Sequence, residues 1–263
     1  MDEDSDGYLT RRGTWRFFRS FLSVLVAMSS AFQSSNRTEL NTLLDDVSVN
    51  VTSEILKRGN VTKINFDSIS EWYGQVGYVE STWIELLDLK KWVNADEAKQ
   101  QSSGSGEGDD DKDEEEADKF HATPEDMEIL KIASDNAMSI TAEDTRRVFS
   151  LASLSGLYGL DCQLLRDTLY SFATTSGEMS PSGFLNFVNE IMPHETAMRN
   201  NERDAVARAL FAIYYAFEES GTAVGPAGLV EARSLVAGLS LLCKGSKSSK
   251  LGVGFSLYAV DGS

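Results

Sequence analysis

The chain has 263 residues, enough for one large domain or two of ordinary size, and 41% of them are hydrophobic, enough to bury a core along most of its length. Against 24 bases stand 41 acids, a formal charge of −17. With no surplus of cations to displace phosphate counterions, nucleic acid is excluded as a partner, and cations, basic peptides or plain solubility fit better. Two cysteines make no disulfide framework and two histidines no zinc cluster. Cys162 and Cys243 fall in apolar helical patterns and read as reduced core residues, which points to the cytoplasm. The start, MDEDSDGYLT, is acidic where a secretory signal is basic, and the longest near-apolar run, Phe21 to Phe32, is too short to span a bilayer.

In chain order, the first informative segment runs from Asp2 to Gly13. Carboxylates stand at its first, third and fifth positions (Asp2, Asp4, Asp6), Gly7 at the sixth and Leu9 at the eighth. Alternate carboxylates before a glycine turn can converge on a hard, oxygen-seeking cation such as calcium. The glycine swings the Tyr8 carbonyl towards the ion, and Thr10 adds an oxygen directly or through water. A helix is expected over Thr14 to Ser30, apolar nearly all round. Trp15, Phe18, Leu22 and Val26 form one stripe, and Phe17, Phe21, Val24 and Met28 another. Such a helix is buried on both sides, or presents Trp15, Phe18, Phe21 and Leu22 to a partner helix.

Next come a short aliphatic piece at Lys63-Ile64-Asn65, the helical pattern FDSISEWYGQVGY and a tryptophan-rich tail with Trp72, Trp83 and Trp92. Residues 99–119 turn from Gly/Ser to charge, with nine acids and one lysine over 107–118. This stretch is expected to be a disordered, self-repelling linker. Beyond it Thr123-Pro124 reads as a helix start, Thr141 with Asp144 as a capping box, and Asp161 as the cap of LDCQLLRDTLYSF. Short aliphatic pieces recur at Glu178-Met179 and Val230, each between helical patterns. No catalytic constellation is recognisable, so no enzyme is expected.

The segment 2–13 resembles the calcium loop of the EF-hand superfamily. GLSLLCKGSKSSKLGVGFSLYAVDG (238–262) and YLTRRGTWRFFRSFL (8–22) extend the likeness to calcineurin-B-like and neuronal-calcium-sensor-like proteins. FDSISEWYGQVGY with WIELLDLKKW resembles a last hand and its tail, and the stretch 156–188 a first hand. The resemblance implies an all-α fold of paired helix–loop–helix units in two lobes, 1–98 and 120–263. It implies calcium bound by Asp2, Asp4, Asp6, Tyr8 and Thr10, and a protein or amphipathic-helix partner.

The chain departs from the family pattern in two ways. Position twelve of the first loop is Gly13, where a bidentate glutamate belongs, and Arg11 and Arg12 add positive charge. Calcium binding is therefore expected to be weak. The loops 57–68, 172–183 and 223–234, aligned on Ile64, Met179 and Val230, lack the carboxylates and are expected to carry no metal. The order is also unusual, since in the family KLGVGFSLYxVDG leads into DGYLTRRGTWRFF. Two halves in permuted order, with helix 249–258 docked beside loop 2–13, and a piece of a longer array are both open. So are two functions: a calcium-binding regulatory or sensor protein, and a metal-independent scaffold of degenerate hands.

Overall fold

The computed structural model describes residues 7–29, 37–89, 140–193, 200–218 and 228–259. Asp2, Asp4, Asp6, Trp92, the acidic stretch 99–119 and the helix start at Thr123 lie outside them. The architecture is helical. The first segment contains β1 (Leu9–Thr10), α1 (Arg11–Met28), α2 (Arg37–Gly59), β2 (Lys63–Ile64) and α3 (Phe66–Trp72). A wider π-turn, Tyr73–Gly77, and a tight 3-10 piece, Thr82–Leu87, follow α3. The second segment contains α4 (Ala142–Leu154), α5 (Cys162–Ser171), β3 (Glu178–Met179), α6 (Pro181–Ile191), α7 (Asn200–Glu218), β4 (Val230–Glu231), α8 (Ala232–Leu239) and α9 (Lys247–Tyr258). Among the described residues no helix is long and apolar enough to cross a membrane.

Three of these short strands, at Ile64, Met179 and Val230, fall where the sequence interrupts its helical patterns with one aliphatic residue, and the other holds Leu9, the eighth position of the first loop. They meet as two antiparallel pairs: Leu9 lies opposite Ile64, and Met179 opposite Val230. Three of the helices leaving these strands start the same way. The side chains of Thr10, Asn65 and Ser180 accept hydrogen bonds from the backbone N–H three residues on, at Gly13, Ser68 and Gly183. This satisfies one of the four N–H groups a helix start leaves open. Gly177 and Gly228, each two residues before the aliphatic strand residue, both take a left-handed backbone that only glycine adopts cheaply.

Helix α1 is the centre of the molecule. Phe17, Phe18, Phe21, Leu22, Val24, Leu25 and Val26 are all buried, as an all-round apolar pattern demands. One side packs on α2 and the tail. There Phe18 meets the edges of Trp72 and Trp83 at ring distances of 6.0 and 6.3 Å. The other side packs on α7, α8 and α9. At the closest approach to α8, a Cβ added to Gly238 would come within 2.7 Å of the Ser20 carbonyl. A single buried cluster runs through both segments, because α1 carries two apolar faces and each segment covers one.

Candidate functional site

The candidate cation loop lies where β1 turns into α1. Of its expected ligands, Tyr8 and Thr10 fall among the described residues. The Tyr8 ring is partly exposed, with the Lys63 ammonium 5.9 Å from its centre. The Thr10 hydroxyl accepts from Gly13 N–H at 3.1 Å, and the Thr10 carbonyl accepts from the Thr14 hydroxyl at 3.1 Å. The cap therefore uses one lone pair of the Thr10 side chain and leaves the second. Arg11 turns away from the loop and donates to the Ser53 hydroxyl of α2 at 3.1 Å.

Helix α9 ends beside this loop. A Cβ on Gly13 would stand 3.4 Å from the Tyr258 carbonyl and 3.5 Å from the Thr10 hydroxyl, which are ordinary contacts. One turn earlier, Gly254 presses its backbone on Phe17 and Phe21, and Phe255 meets the Phe66 edge at 5.6 Å. Tyr258 is buried, and its hydroxyl lies 2.9 Å from both the Ser20 and the Ser234 hydroxyls. Burial raises its pKa, so the phenol stays protonated and bridges α1, α8 and α9.

A second polar knot joins the same elements. The Glu231 carboxylate accepts two bonds from Arg16 on α1, at 3.1 and 3.2 Å, and two from Arg233, both at 3.1 Å. Burial pushes the Glu231 carboxyl up. The hydrogen bond and charge of Arg233, then those of Arg16, outweigh this and hold it below the usual carboxylate range. Glu231 occupies the ninth position of loop 223–234, so two guanidinium groups bind the one acid that loop offers.

Loop 172–183 is closed in another way. Thr174 and Ser176 hydroxyls lie 2.8 Å apart, Ser176 donates to the Glu178 carboxylate at 3.1 Å, and Thr174 Oγ1 accepts from Glu178 N–H at 3.0 Å. A Cβ at Gly183 would sit 2.7 Å from the Phe172 carbonyl. The place of a closing glutamate is therefore filled by backbone. In loop 57–68 the side chain of Asn65 serves as a helix cap. Among the described residues no group of three or more His, Cys, Asp or Glu is placed to hold a metal ion.

The structure places Phe18, Phe21 and Leu22 in the protein's own core, and Trp15 half-buried beside Arg19. In this conformation the first three are closed to a partner. Sequence reasoning missed the Arg16–Glu231–Arg233 knot and the Ser20–Tyr258–Ser234 bridge. Their members are ordinary surface types separated by up to 238 residues, and no local spacing marks them. No family model, curated protein or solved structure matches the chain.

Proposed function

We propose that the protein is an EF-hand-like regulatory protein with four helix–loop–helix units, three kept for shape and one, loop 2–13, kept for weak calcium binding. The observation that carries this reading is the strand pairing. Four short loops meet two by two at their aliphatic positions, each leading from a strand into a helix. α9 and α1 flank the first loop, α2 and α3 the second, α5 and α6 the third, and α7 and α8 the fourth. Asp2, Asp4 and Asp6 supply side-chain oxygens, Tyr8 its carbonyl and Thr10 its free lone pair. α9 lies beside the first loop, with the Tyr258 carbonyl near Gly13, although it follows α8 in the chain.

Calcium binding at this loop would tilt α1 against α9. Any protein partner that takes Phe18, Phe21 or Leu22 must wait for that movement, since these side chains are buried. A second reading, a metal-independent scaffold that binds its partner constitutively, is favoured by the self-bonded loop 172–183 and the guanidinium-filled loop 223–234.

Calorimetry of the folded chain in millimolar calcium separates the two. One weak site, with a thermal midpoint that rises with calcium, is expected for the first. No heat and no shift supports the scaffold. The same titration on two variants locates the site. Gly13→Glu has room for its Cβ and restores the closing carboxylate, so affinity should rise at least about tenfold. Gly183→Glu collides with the Phe172 carbonyl, so it should lower stability and add no site.

A further inference from the structure

The described residues of 7–89 and those of 140–259 touch along a surface whose chemistry resembles that of two partners. On α1 one stripe faces the second segment: Arg16, Phe17, Ser20, Phe21 and Val24. Phe17 and Phe21 rest on Gly254, and Val24 and the Ser20 carbonyl on Gly238. Glycine at both contacts lets helix backbones approach more closely than any side chain allows. Polar links then fix the register at several points along the seam. Arg16 pairs with Glu231 near the start of α1, Ser20 bonds Tyr258 in its middle, and the Ser29 hydroxyl donates to Asp144 at its end, at 3.2 Å. Away from α1, Lys247 of α9 pairs with Glu85 of the tail and lies 4.2 Å from the Tyr73 ring centre.

Neither segment can close its core without the other. Residues 7–89 alone would expose Phe17, Phe21 and Val24, which are wholly buried in the intact fold. Residues 140–259 alone would expose Gly238 and Gly254 with the apolar walls around them, and would leave Glu231 without Arg16. An exposed apolar face of this kind is the mark of an interface.

We infer that residues 7–89 and 140–259 are complementary pieces, each the specific binding partner of the other, held together along the α1 seam. Cut within residues 90–139, the chain should leave a two-chain protein with the same core. This holds whether or not loop 2–13 takes an ion.

The test starts from the intact folded chain, with a specific protease site placed within Ser102 to Gly106 and cleaved to completion. The expected result is two fragments on a denaturing gel but one peak at the intact size on a native column at micromolar concentration. A single thermal transition should accompany it, with a midpoint that now falls on dilution. Fragments that separate on the native column, or that melt in two transitions, would overturn the inference. So would an intact, uncut chain running at twice its size, since the pieces would then pair between copies. Glu231→Gln keeps the test sharp. It should make the cut complex dissociate at a protein concentration about tenfold higher, while the uncut variant still folds with one transition. Equal dissociation of the cut wild type and the cut variant would show that the seam does not set the pairing.

Discussion

Phe21→Ala is expected to lower stability by about 3–5 kcal/mol, read from denaturant unfolding at neutral pH. The Phe21 ring is fully buried and meets the edge of Phe17 at 5.4 Å. Gly254 of α9 lies so close that an added Cβ would be 3.1 Å from the ring tip. Truncation opens a cavity between α1 and α9 that the helices cannot close. Their spacing is set by the Ser20–Tyr258 bond on one side and by the approach of Gly238 on the other. Trp15→Ala is the internal comparison. Its ring is half-exposed, with the Arg19 guanidinium 5.8 Å from its centre, and the change should cost no more than about 1 kcal/mol. If Phe21 were kept for a partner rather than for the core, alanine would leave stability within about 0.5 kcal/mol, and that result would contradict the packing described.

Lys250→Met is expected to raise stability at pH 7, by about 2 kcal/mol. The Lys250 side chain is fully buried, and its ammonium donates one hydrogen bond, to the Leu241 carbonyl at 2.9 Å. Burial lowers its pKa to about 8, although Cys162, Cys243 and Asp88 act the other way. In the unfolded chain lysine titrates near ~10.4. Below pH 8 both states are protonated and the fold carries the full penalty of a buried charge, about 3 kcal/mol for a shift of this size. Methionine of similar volume removes that penalty and leaves one carbonyl unpaired, at about 1 kcal/mol. Between pH 8 and ~10.4 the folded state binds fewer protons than the unfolded one, so the penalty fades as pH rises.

The buried thiols of Cys162 and Cys243, both pushed up by burial, work in the opposite sense. They stay protonated in the fold while the unfolded chain loses their protons, which lowers stability as pH rises. The informative quantity is therefore the difference between variant and wild type. It should be largest at pH 7 and shrink towards pH 10, and a difference independent of pH would refute the assignment.

Much of the local structure was legible from the residues. A single aliphatic residue between two helical patterns marked three of the strands, at Ile64, Met179 and Val230, and Leu9 marked the other as the eighth position of the first loop, because a two-residue bridge needs one apolar side chain and little else. Thr141 with Asp144 announced a capping box, and the structure forms it. The caps at Asn65 and Ser180 follow the same chemistry. The shared core was not legible. The two stripes of α1 announced burial on both sides, but the second face is covered by helices that begin at Asn200 and beyond, and no local pattern encodes such a pairing. The same distance hid the Arg16–Glu231 pair. The closure of loop 172–183 was half legible: Gly183 showed that a ligand was missing, but only the fold shows that the Phe172 carbonyl takes its place.

Loop 2–13 is proposed to close against α9 and to take a cation there. An amide-resolved calcium titration of the isotopically labelled full chain addresses this most directly. The expected result is movement of Gly7 to Gly13 together with Phe255 to Ala259 at millimolar calcium, with loops 57–68, 172–183 and 223–234 unchanged. A folded chain in which none of these amides move, or in which the changes centre on loop 172–183, would contradict it.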